Sequence, residues 1–391
     1  MKRLRLRNLG PLSDVDIDLG RVNLIVGLQS SGKSCVLKTA CYCSWVEKRI
    51  QLAQSDEEFR KGTSFLDILT EYHKMKDYVW PDTFIEYESS FMMFSYDHMN
   101  QRFTFQWKSH RWDFRRPKIS YIPSDRNLVA SIPQWSKLPL EYDNLLDFMN
   151  DWDNARKQSK QVDNLLDLGL SYRYDSLSSS DSIVLPSGKP IRLSDSSSGV
   201  QSLVPLFVYL NYLFGKKSKK QSDYKQTYEQ KEESKRLLKL LADHLKARED
   251  YDELTQPTSV IHIDGMFFFF NAVQGSKKFE RMVLHYLQTD HNELFLEEPE
   301  DNLFPPTQCQ LVDWLLDKVS GSRKKEMLFV ATHSPYVLNQ FIKDNPKDFK
   351  LFITHSVQEE GKYTVTQLPE SDVRDIYENG VDLFFNFESY L

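Results

Sequence analysis

The chain has 391 residues and a formal net charge of −6, with 40% hydrophobic and 27% charged residues. This composition is typical of a globular protein with one large core or two domains, and no apolar run is long enough to span a bilayer. The first residues alternate charged with apolar side chains, and the four cysteines lack metal-ligand spacing. We therefore expect a cytoplasmic protein that does not associate with membranes, and the acidic balance excludes nucleic-acid binding through overall positive charge.

Residues 27–34 form the strongest local pattern in the chain. They read Gly-Leu-Gln-Ser-Ser-Gly-Lys-Ser, which satisfies every fixed position of the phosphate-binding loop G-x-x-x-x-G-K-[ST]. An apolar run over 22–26 predicts a buried strand before the loop, and a helix is expected to begin near Lys33. Loop amides and the helix N-terminus would then point at phosphate, with Lys33 on the β- and γ-phosphates and the Ser34 hydroxyl on Mg²⁺. The predicted nucleotide-binding residues are Gly27, Gln29, Ser30, Ser31, Gly32, Lys33 and Ser34.

The remaining segments predict an α/β protein with inserted elements. Alternating residues at 3–7 and 14–19 predict paired strands ahead of the phosphate-binding loop. Residues 215–258 are rich in Lys, Gln and Glu, which predicts a charged helical arm or a partly disordered insertion. In chain order the other predictions are a helical insertion at 48–80, an antiparallel β lobe over 83–107, a core strand at 118–122, a helical lobe at 141–170, a hairpin over 182–193, a buried helix at 199–213, and strands at 293–296, 327–331 and 350–354.

Two carboxylates follow the predicted strand at 293–296. In α/β sheets, nucleotide chemistry occurs at the carboxyl ends of the strands, where Glu297 and Glu298 would lie. We expect Glu297 to hold the water shell of Mg²⁺ and Glu298 to act as the general base that polarises the attacking water. His333, which follows another apolar strand, is expected to contact the γ-phosphate through a hydrogen bond.

A serine-rich loop at the start of the predicted helix 199–213 offers a second anion site. Its candidate residues are Ser196, Ser197, Ser198, Gly199 and Gln201. A single ATP in a single chain needs one phosphate site, whereas a face-to-face dimer uses both, because each loop then caps the nucleotide held by the partner. The pattern therefore predicts a homodimer or a higher homo-oligomer.

These motifs, in this order, resemble the ABC-type ATPase heads of the SMC/RecF/OLD group. They are most similar to the OLD-like AAA family ATPases of bacterial anti-phage defence, of the Septu PtuA type. The resemblance implies one two-lobed P-loop NTPase head over 1–391 with a mixed β-sheet, and slow hydrolysis of Mg-ATP. It also implies that Ser197 and Gly199 act across the dimer, and that Asp301 lies in the loop that links the two active sites.

This sequence departs from the pattern of related proteins in two places, and the resemblance leaves the function open between two classes. Transporter heads usually have Asp at the position of Glu297, and no Gln is found for the loop between the lobes. Arg126 is the candidate nucleotide- or partner-sensing residue there, and a structural ion pair is its alternative.

The first function is an ATPase that dimerises on ATP and controls a separate effector, a nuclease, in anti-phage defence. The alternative is a RecF-like DNA-repair ATPase that binds DNA directly through local basic clusters. A transporter ATPase is disfavoured because the Glu-Glu-Pro-Glu and Ser-Ser-Gly-Val-Gln motifs are not those of transporter heads. The clusters in question are Arg3, Arg5 and Arg7, then Arg111, Arg115, Arg116 and Lys118, and then Lys216, Lys217, Lys219 and Lys220.

Overall fold

In the part of the chain that the structure describes, the strands form one large sheet and two small ones. The computed structural model describes residues 2–215, 228–247, 257–322, 325–357, 361–379, 383–384 and 386. The strands are β1 Lys2–Leu9, β2 Leu12–Leu19, β3 Val22–Gly27, β4 Val79–Glu88, β5 Met92–Asp97, β6 Arg102–Trp107, β7 Pro117–Ile122, β8 Gln161–Val162, β9 Ser171–Asp175, β10 Ser180–Val184, β11 Pro190–Arg192, β12 Ser259–Ile263, β13 Met266–Phe270, β14 His291–Glu297, β15 Met327–Ala331, β16 Phe349–Ser356 and β17 Tyr363–Gln367.

The helices cover both faces of the large sheet. No helix in the described ranges is both long and apolar enough to cross a bilayer. The helices are α1 Lys33–Ala53, α2 Ser64–Tyr72, α3 Leu128–Ser131, α4 Asn144–Gln158, α5 Ser198–Phe214, α6 Tyr228–His244, α7 Val273–Leu287, α8 Pro305–Gly321, α9 Pro335–Asp344 and α10 Glu370–Glu378.

The large sheet has eleven strands in the order β6-β5-β4-β1-β2-β17-β16-β3-β15-β14-β7. From β16 to β7 all neighbouring strands are parallel, and from β6 to β2 all are antiparallel. The predicted antiparallel lobe is thus continuous with the parallel half. Because β3, β14, β15 and β16 run in the same direction, the loops that follow them meet at one edge of the sheet.

Two cores lie on opposite faces of this sheet, and successive side chains of β3 point alternately into one and the other. Val22, Leu24 and Val26 face a core formed with α4, α5, α8 and α9. Ile25 faces the other core, which α1, α2 and the antiparallel strands complete. The strand is buried along its whole length, which explains its continuous apolar run in the sequence.

Three predicted segments differ from the structure in their boundaries or content. Within 48–80, α1 continues to Ala53 and β4 already begins at Val79, so α2 is the only complete α-helix described there. Within 141–170, only α4 is an α-helix, and Leu166 is buried in a short turn with a φ of 45°. The strand predicted at 118–122 is β7, which lies at the edge of the sheet rather than at its centre.

A third core contains elements that the sequence patterns did not reveal. The hairpin β12–β13 and helix α7 pack with α6 around Phe268, Phe279 and Tyr286, all of which are buried. Within 215–258, α6 contributes three buried leucines to this core, so this part is not an exposed arm. Residues 216–227 and 248–256 of the predicted insertion lie outside the described residues, and the three leucines are Leu237, Leu238 and Leu241.

Candidate functional site

The phosphate-binding loop connects β3 to α1 and has a backbone that requires glycine at two positions. Gly27 has a φ of 150° and Gly32 a φ of 95°, both in the region that L side chains rarely adopt. A Cβ atom at Gly27 would overlap the hydroxyl of Thr354, and one at Gly32 would lie 2.6 Å from the Leu12 side chain. The two glycines therefore allow β16 and the β1–β2 turn to approach the loop.

Lys33 lies at the start of α1, and its ammonium group points into the loop. Its Nζ donates to the carbonyl oxygens of Gly27 at 3.1 Å and Leu28 at 2.6 Å, and the residue is only 5% exposed. Burial lowers the pKa of Lys33 to about 8, while the negative charges of Glu298 and Glu300 oppose this shift. The ammonium group therefore occupies a poorly solvated position in which a phosphate anion would favour its charged form.

The loop is also supported by Thr354, which the sequence analysis did not single out. The Ser31 hydroxyl donates to the Leu28 carbonyl oxygen at 2.6 Å and also contacts the Thr354 hydroxyl. Thr354 lies on β16, more than 320 residues from Ser31, and no local pattern marks it. Of the other predicted residues, Gln29 and Ser30 are exposed at the loop tip and Ser34 is half-buried in the first turn of α1.

Glu297 is the last residue of β14 and Glu298 follows it, at the same edge of the sheet as the loop. Glu297 is 7% exposed, whereas Glu298 has a φ of 41° and so leaves the extended conformation of the strand. Glu298 Oε1 lies 3.4 Å from Nε2 of His333. The hydrogen bond with His333 lowers the pKa of Glu298, with further contributions from the positive charges of His333, Lys33 and Arg126. The structure thus brings three predicted residues close enough for their charges to interact, since Lys33 and His333 both lower the pKa of Glu298.

Glu300 joins the acidic segment to the His333 loop and was missed by the sequence analysis. Its Oε1 accepts hydrogen bonds from the Thr332 hydroxyl at 2.8 Å and the His333 backbone N–H at 2.7 Å. Burial raises the pKa of Glu300. The Glu-Glu-Pro-Glu sequence could have indicated this residue, since a third carboxylate follows the predicted pair Glu297 and Glu298 after one proline.

Arg126, the candidate nucleotide- or partner-sensing residue, is buried and contacts the backbone of the acidic segment. The residue is 0% exposed, and its guanidinium donates to the backbone carbonyl oxygens of Glu297 at 2.9 Å and Glu298 at 2.8 Å. A third bond, at 3.3 Å, goes to Pro123. Burial lowers the pKa of Arg126, against the charges of the nearby acidic residues. Among the described residues, the hydrogen-bond acceptors of this guanidinium are backbone carbonyl oxygens, which differs from the structural ion pair of the alternative.

The serine-rich loop forms the N-terminus of α5, with Ser197 as the residue before the helix. Gln201 Nε2 donates to the carbonyl oxygens of Ser194 and Ser196, both at 2.9 Å, and this closes the loop. Ser197 and Ser198 are exposed. In the described part of the chain, the hydrogen bonds of this loop's side chains do not include the phosphate-binding loop.

Asp301 lies in the turn after the acidic segment, next to the serine-rich loop of the same chain. Its side chain accepts a bond from Asn302 Nδ2 at 2.8 Å, and the same nitrogen lies 3.1 Å from the Ser202 hydroxyl. A Cβ atom at Gly199 would be 2.9 Å from the Asn302 carbonyl oxygen. Gly199 is therefore the residue that lets the turn and helix α5 pack closely.

The polar groups near Glu297 fit a hydrated Mg²⁺ bound together with phosphate. Burial, the charge of Glu297 and a hydrogen bond with Glu297 raise the pKa of the Tyr121 hydroxyl. No cluster of three or more His, Cys, Asp or Glu side chains suited to a metal occurs in the described ranges. Ser34 and Glu297 would therefore hold the ion only with oxygen ligands from phosphate and water.

Comparisons with known proteins give distant structural similarities. No protein-family model and no curated protein matches the chain. The SMC head domain from Thermotoga maritima is 12% identical with a TM-score of 0.42, over 94% of this chain and 98% of that one. An Smc head domain with an extended coiled coil, bound to the C-terminal domain of ScpA and derived from Pyrococcus furiosus, is 9% identical with a TM-score of 0.43, over 97% and 99%.

An ATP-binding cassette of an ABC transporter is also similar, with 12% identity and a TM-score of 0.28 over 97% of this chain and 96% of that chain. At these identities and scores the similarities do not assign a function. The geometry of the site carries that argument.

Proposed function

We propose that this chain binds and hydrolyses Mg-ATP at the carboxyl edge of the parallel strands. The observation that carries the proposal is the 3.4 Å contact between Glu298 Oε1 and His333 Nε2, in a region where Lys33 also lowers the pKa of Glu298. These three residues come from chain segments after β3, β14 and β15. A fold needs no such convergence for stability alone, whereas phosphoryl transfer needs a cation, a base and a hydrogen-bond donor together.

The roles of the residues follow from their positions. The backbone amides of 28–34 bind the phosphates, and Lys33 exchanges its carbonyl partners for phosphate oxygens. The lowered pKa keeps Glu298 ionised at neutral pH, so that it can accept a proton from the attacking water. His333 lies beside the Glu298 carboxylate without nucleotide and donates to the γ-phosphate when ATP is bound. Ser34 and Glu297 would hold Mg²⁺, which would supply charge neutralisation for the phosphates.

We further propose that the site is completed by a second copy of the chain. Ser197 and Ser198 are exposed at the N-terminus of α5, a position suited to a phosphate from a partner. Three large apolar side chains are exposed on the loops and in the first turn of α9 at the same sheet edge, and a partner subunit would cover them. They are Leu28 at 56%, Phe304 at 73% and Tyr336 at 49% exposure.

The proposal in its most specific form is an OLD-like ATPase that controls a separate nuclease in anti-phage defence. Its support is the set and order of motifs. The alternative of direct DNA binding is weakened by the pairing of two basic clusters. Arg3 and Arg5 contact Asp16, and Arg5 also contacts Glu86. Within the second cluster, Arg115 pairs with Asp290 and Lys118 pairs with Asp151. Arg111 of the same cluster lies 4.3 Å from the ring centres of Trp107 and Trp112. The third cluster, at 216–220, lies outside the described residues.

The test is the Glu298→Gln variant, studied with and without Mg-ATP. We expect it to bind ATP, to hydrolyse it about 10²-fold more slowly or worse because the general base is lost, and to double in mass with Mg-ATP. ATP hydrolysis and mass in solution are measured together. Glu280→Gln, an exposed carboxylate on α7, is the matched control with normal turnover.

Two results would contradict the assignment. Unchanged turnover in Glu298→Gln would move the general base elsewhere. Tight ATP binding by Lys33→Ala would refute the assignment of the phosphate-binding loop.

A further inference from the structure

Tyr121 lies on the edge strand β7, beside the acidic end of β14. The two strands are parallel, and Tyr121 is paired with Phe295. Both side chains are buried in the core on the α1 face of the sheet. Glu297 follows Phe295 by two residues on β14, so its side chain points to the same face. The register of the two strands therefore places the Tyr121 ring next to the Glu297 carboxylate.

The Tyr121 hydroxyl serves that carboxylate as a hydrogen-bond donor. Apart from Glu297, it has no hydrogen-bond partner among the described residues. The bond with Glu297 raises the pKa of Tyr121, so the hydroxyl keeps its proton and donates it to the bond. Tyr121 is 5% exposed and Glu297 7% exposed. A hydrogen bond to an ionised acceptor is stronger than a neutral one, so this contact holds the buried carboxylate in place.

Helix α2 packs against the Tyr121 ring and limits its movement. His73, at the C-terminal end of α2, is buried and places its ring edge-on to that of Tyr121, with 5.0 Å between the ring centres. The preceding residue, Tyr72, donates from its hydroxyl to Asp147 Oδ2 of α4 at 2.8 Å. Helix α4 therefore holds the end of α2, and the end of α2 holds the ring that carries the hydroxyl.

We propose that Tyr121 is a positioning residue, which keeps the Glu297 carboxylate in the orientation in which it would hold the water shell of Mg²⁺. This inference rests on the proposed Mg-ATP function and extends it to the residue behind the metal ligand. Carboxylates that bind a metal are themselves oriented by hydrogen bonds from outer partners. Loss of such a partner typically costs about 10- to 100-fold in metal affinity.

The test measures binding of the non-hydrolysable ATP analogue AMP-PNP by isothermal titration calorimetry, once with Mg²⁺ and once with EDTA. Wild-type protein should bind the analogue more tightly with Mg²⁺. Tyr121→Phe keeps the ring that packs on His73 and removes only the hydroxyl. We expect this variant to lose about tenfold or more of the affinity measured with Mg²⁺ and none of the affinity measured with EDTA.

A matched control and a double-mutant cycle make the test specific for the contact with Glu297. Tyr96→Phe should bind as the wild type does under both conditions, because Tyr96 is also buried but its hydroxyl has no partner in the described part of the chain. Glu297→Ala should lose the gain in affinity that Mg²⁺ provides. Adding Tyr121→Phe to Glu297→Ala should then cause little further loss, since residues in contact are not additive.

The failure of this inference and the failure of the proposed function can be told apart. If wild-type protein binds the analogue under neither condition, the ATP-binding function fails, and the role of Tyr121 fails with it. If wild-type protein binds it and Tyr121→Phe binds it equally well with Mg²⁺, only the positioning role is refuted. Three further results would also refute that role: wild-type affinity that ignores Mg²⁺, equal losses with Mg²⁺ and EDTA, or additive losses in the double mutant.

Discussion

At the scale of single residues, burial decides how the charged groups of the site behave. The ammonium group of Lys33 is held by two backbone carbonyls, and its pKa falls from 10.5 to about 8 because burial penalises the charge. In the folded protein without nucleotide, this group therefore lowers the free energy of unfolding at pH 7. That penalty is relieved as the pH rises from 8 towards 10.5.

The same shift predicts proton uptake when ATP binds. Phosphate beside Lys33 favours the charged form and raises the pKa of Lys33. The contribution of this group to the ATP affinity should therefore be constant below pH 8. Above pH 8 it should fall by up to about tenfold per pH unit. Calorimetry at pH 8 in two buffers with different protonation enthalpies measures the protons taken up. Lys33→Arg keeps its charge at this pH and should show no uptake if it binds, so equal uptake in both proteins would contradict the role of Lys33.

Arg126 shows at the same scale why a charged residue near a candidate site is not necessarily part of its chemistry. Its guanidinium is fully buried and holds the backbone of Glu297 and Glu298. Hydrogen bonds from a charged donor are stronger than neutral ones, so Arg126 acts as a positioning residue for both carboxylates. Sequence alone left its role open, because the carbonyl groups that it contacts lie about 170 residues away.

At the scale of elements, the contact between the start of α5 and the turn after β14 joins two predicted motifs. Gly199 and Asn302 pack so closely that a methyl group at position 199 would lie 2.9 Å from the Asn302 carbonyl oxygen. The turn also contains Asp301 and directly follows the acidic segment. Movement at Gly199 would therefore be transmitted to the turn beside Glu298 and Glu300.

We predict that Gly199→Ala binds ATP normally but hydrolyses it more slowly. The displaced turn should misplace the acidic segment. A misplacement of about 1 Å at a reaction centre costs about 10²-fold in rate. Steady-state hydrolysis and ATP affinity are the measurements. Gly321→Ala is the matched control, since a Cβ atom there would have no atom within 4 Å. Normal hydrolysis by Gly199→Ala would contradict the coupling of the two elements.

At the scale of the whole molecule, the loops at the carboxyl edge of the parallel strands carry both the proposed catalytic groups and exposed apolar surface. Phe304 is 73% exposed just before α8, close in sequence to Asp301 and Glu298. Large exposed apolar side chains that surround a polar site are typical of surfaces that another protein covers. In the proposed dimer, the occupant is a second copy of this chain.

Phe304→Asp should therefore weaken ATP-dependent dimerisation while leaving ATP binding to the monomer intact. Loss of a central aromatic contact typically costs at least about 2 kcal/mol, or about 30-fold in the dimer dissociation constant. The experiment measures mass against protein concentration in the Glu298→Gln background with Mg-ATP. Tyr377→Asp, on the distant helix α10, serves as the control. A dimer that ignores Phe304→Asp but is lost in Tyr377→Asp would place the interface elsewhere.

Much of the central architecture was predicted from the sequence, because its signals are local. Strand β3, the two glycines and the start of α1 follow one another between Val22 and Lys33, and backbone conformation and helix formation depend on neighbouring residues. The strands β14, β15 and β16 were predicted from short apolar runs, since strands buried on both faces need no alternation. The third core was not predicted, because its hairpin and helices become buried only through each other.

The sequence by itself determined the phosphate-binding loop, the carboxylate pair at the end of β14 and the His333 loop as separate elements. Only the tertiary structure decided that Glu298 and His333 meet, that Glu300 joins their two loops, that Thr354 supports Ser31 and that Arg126 is buried. The physical reason is that a residue's conformational preference is set by its near neighbours in the chain. Its partners are set by the order of strands in the sheet, which brings segments more than 300 residues apart into contact.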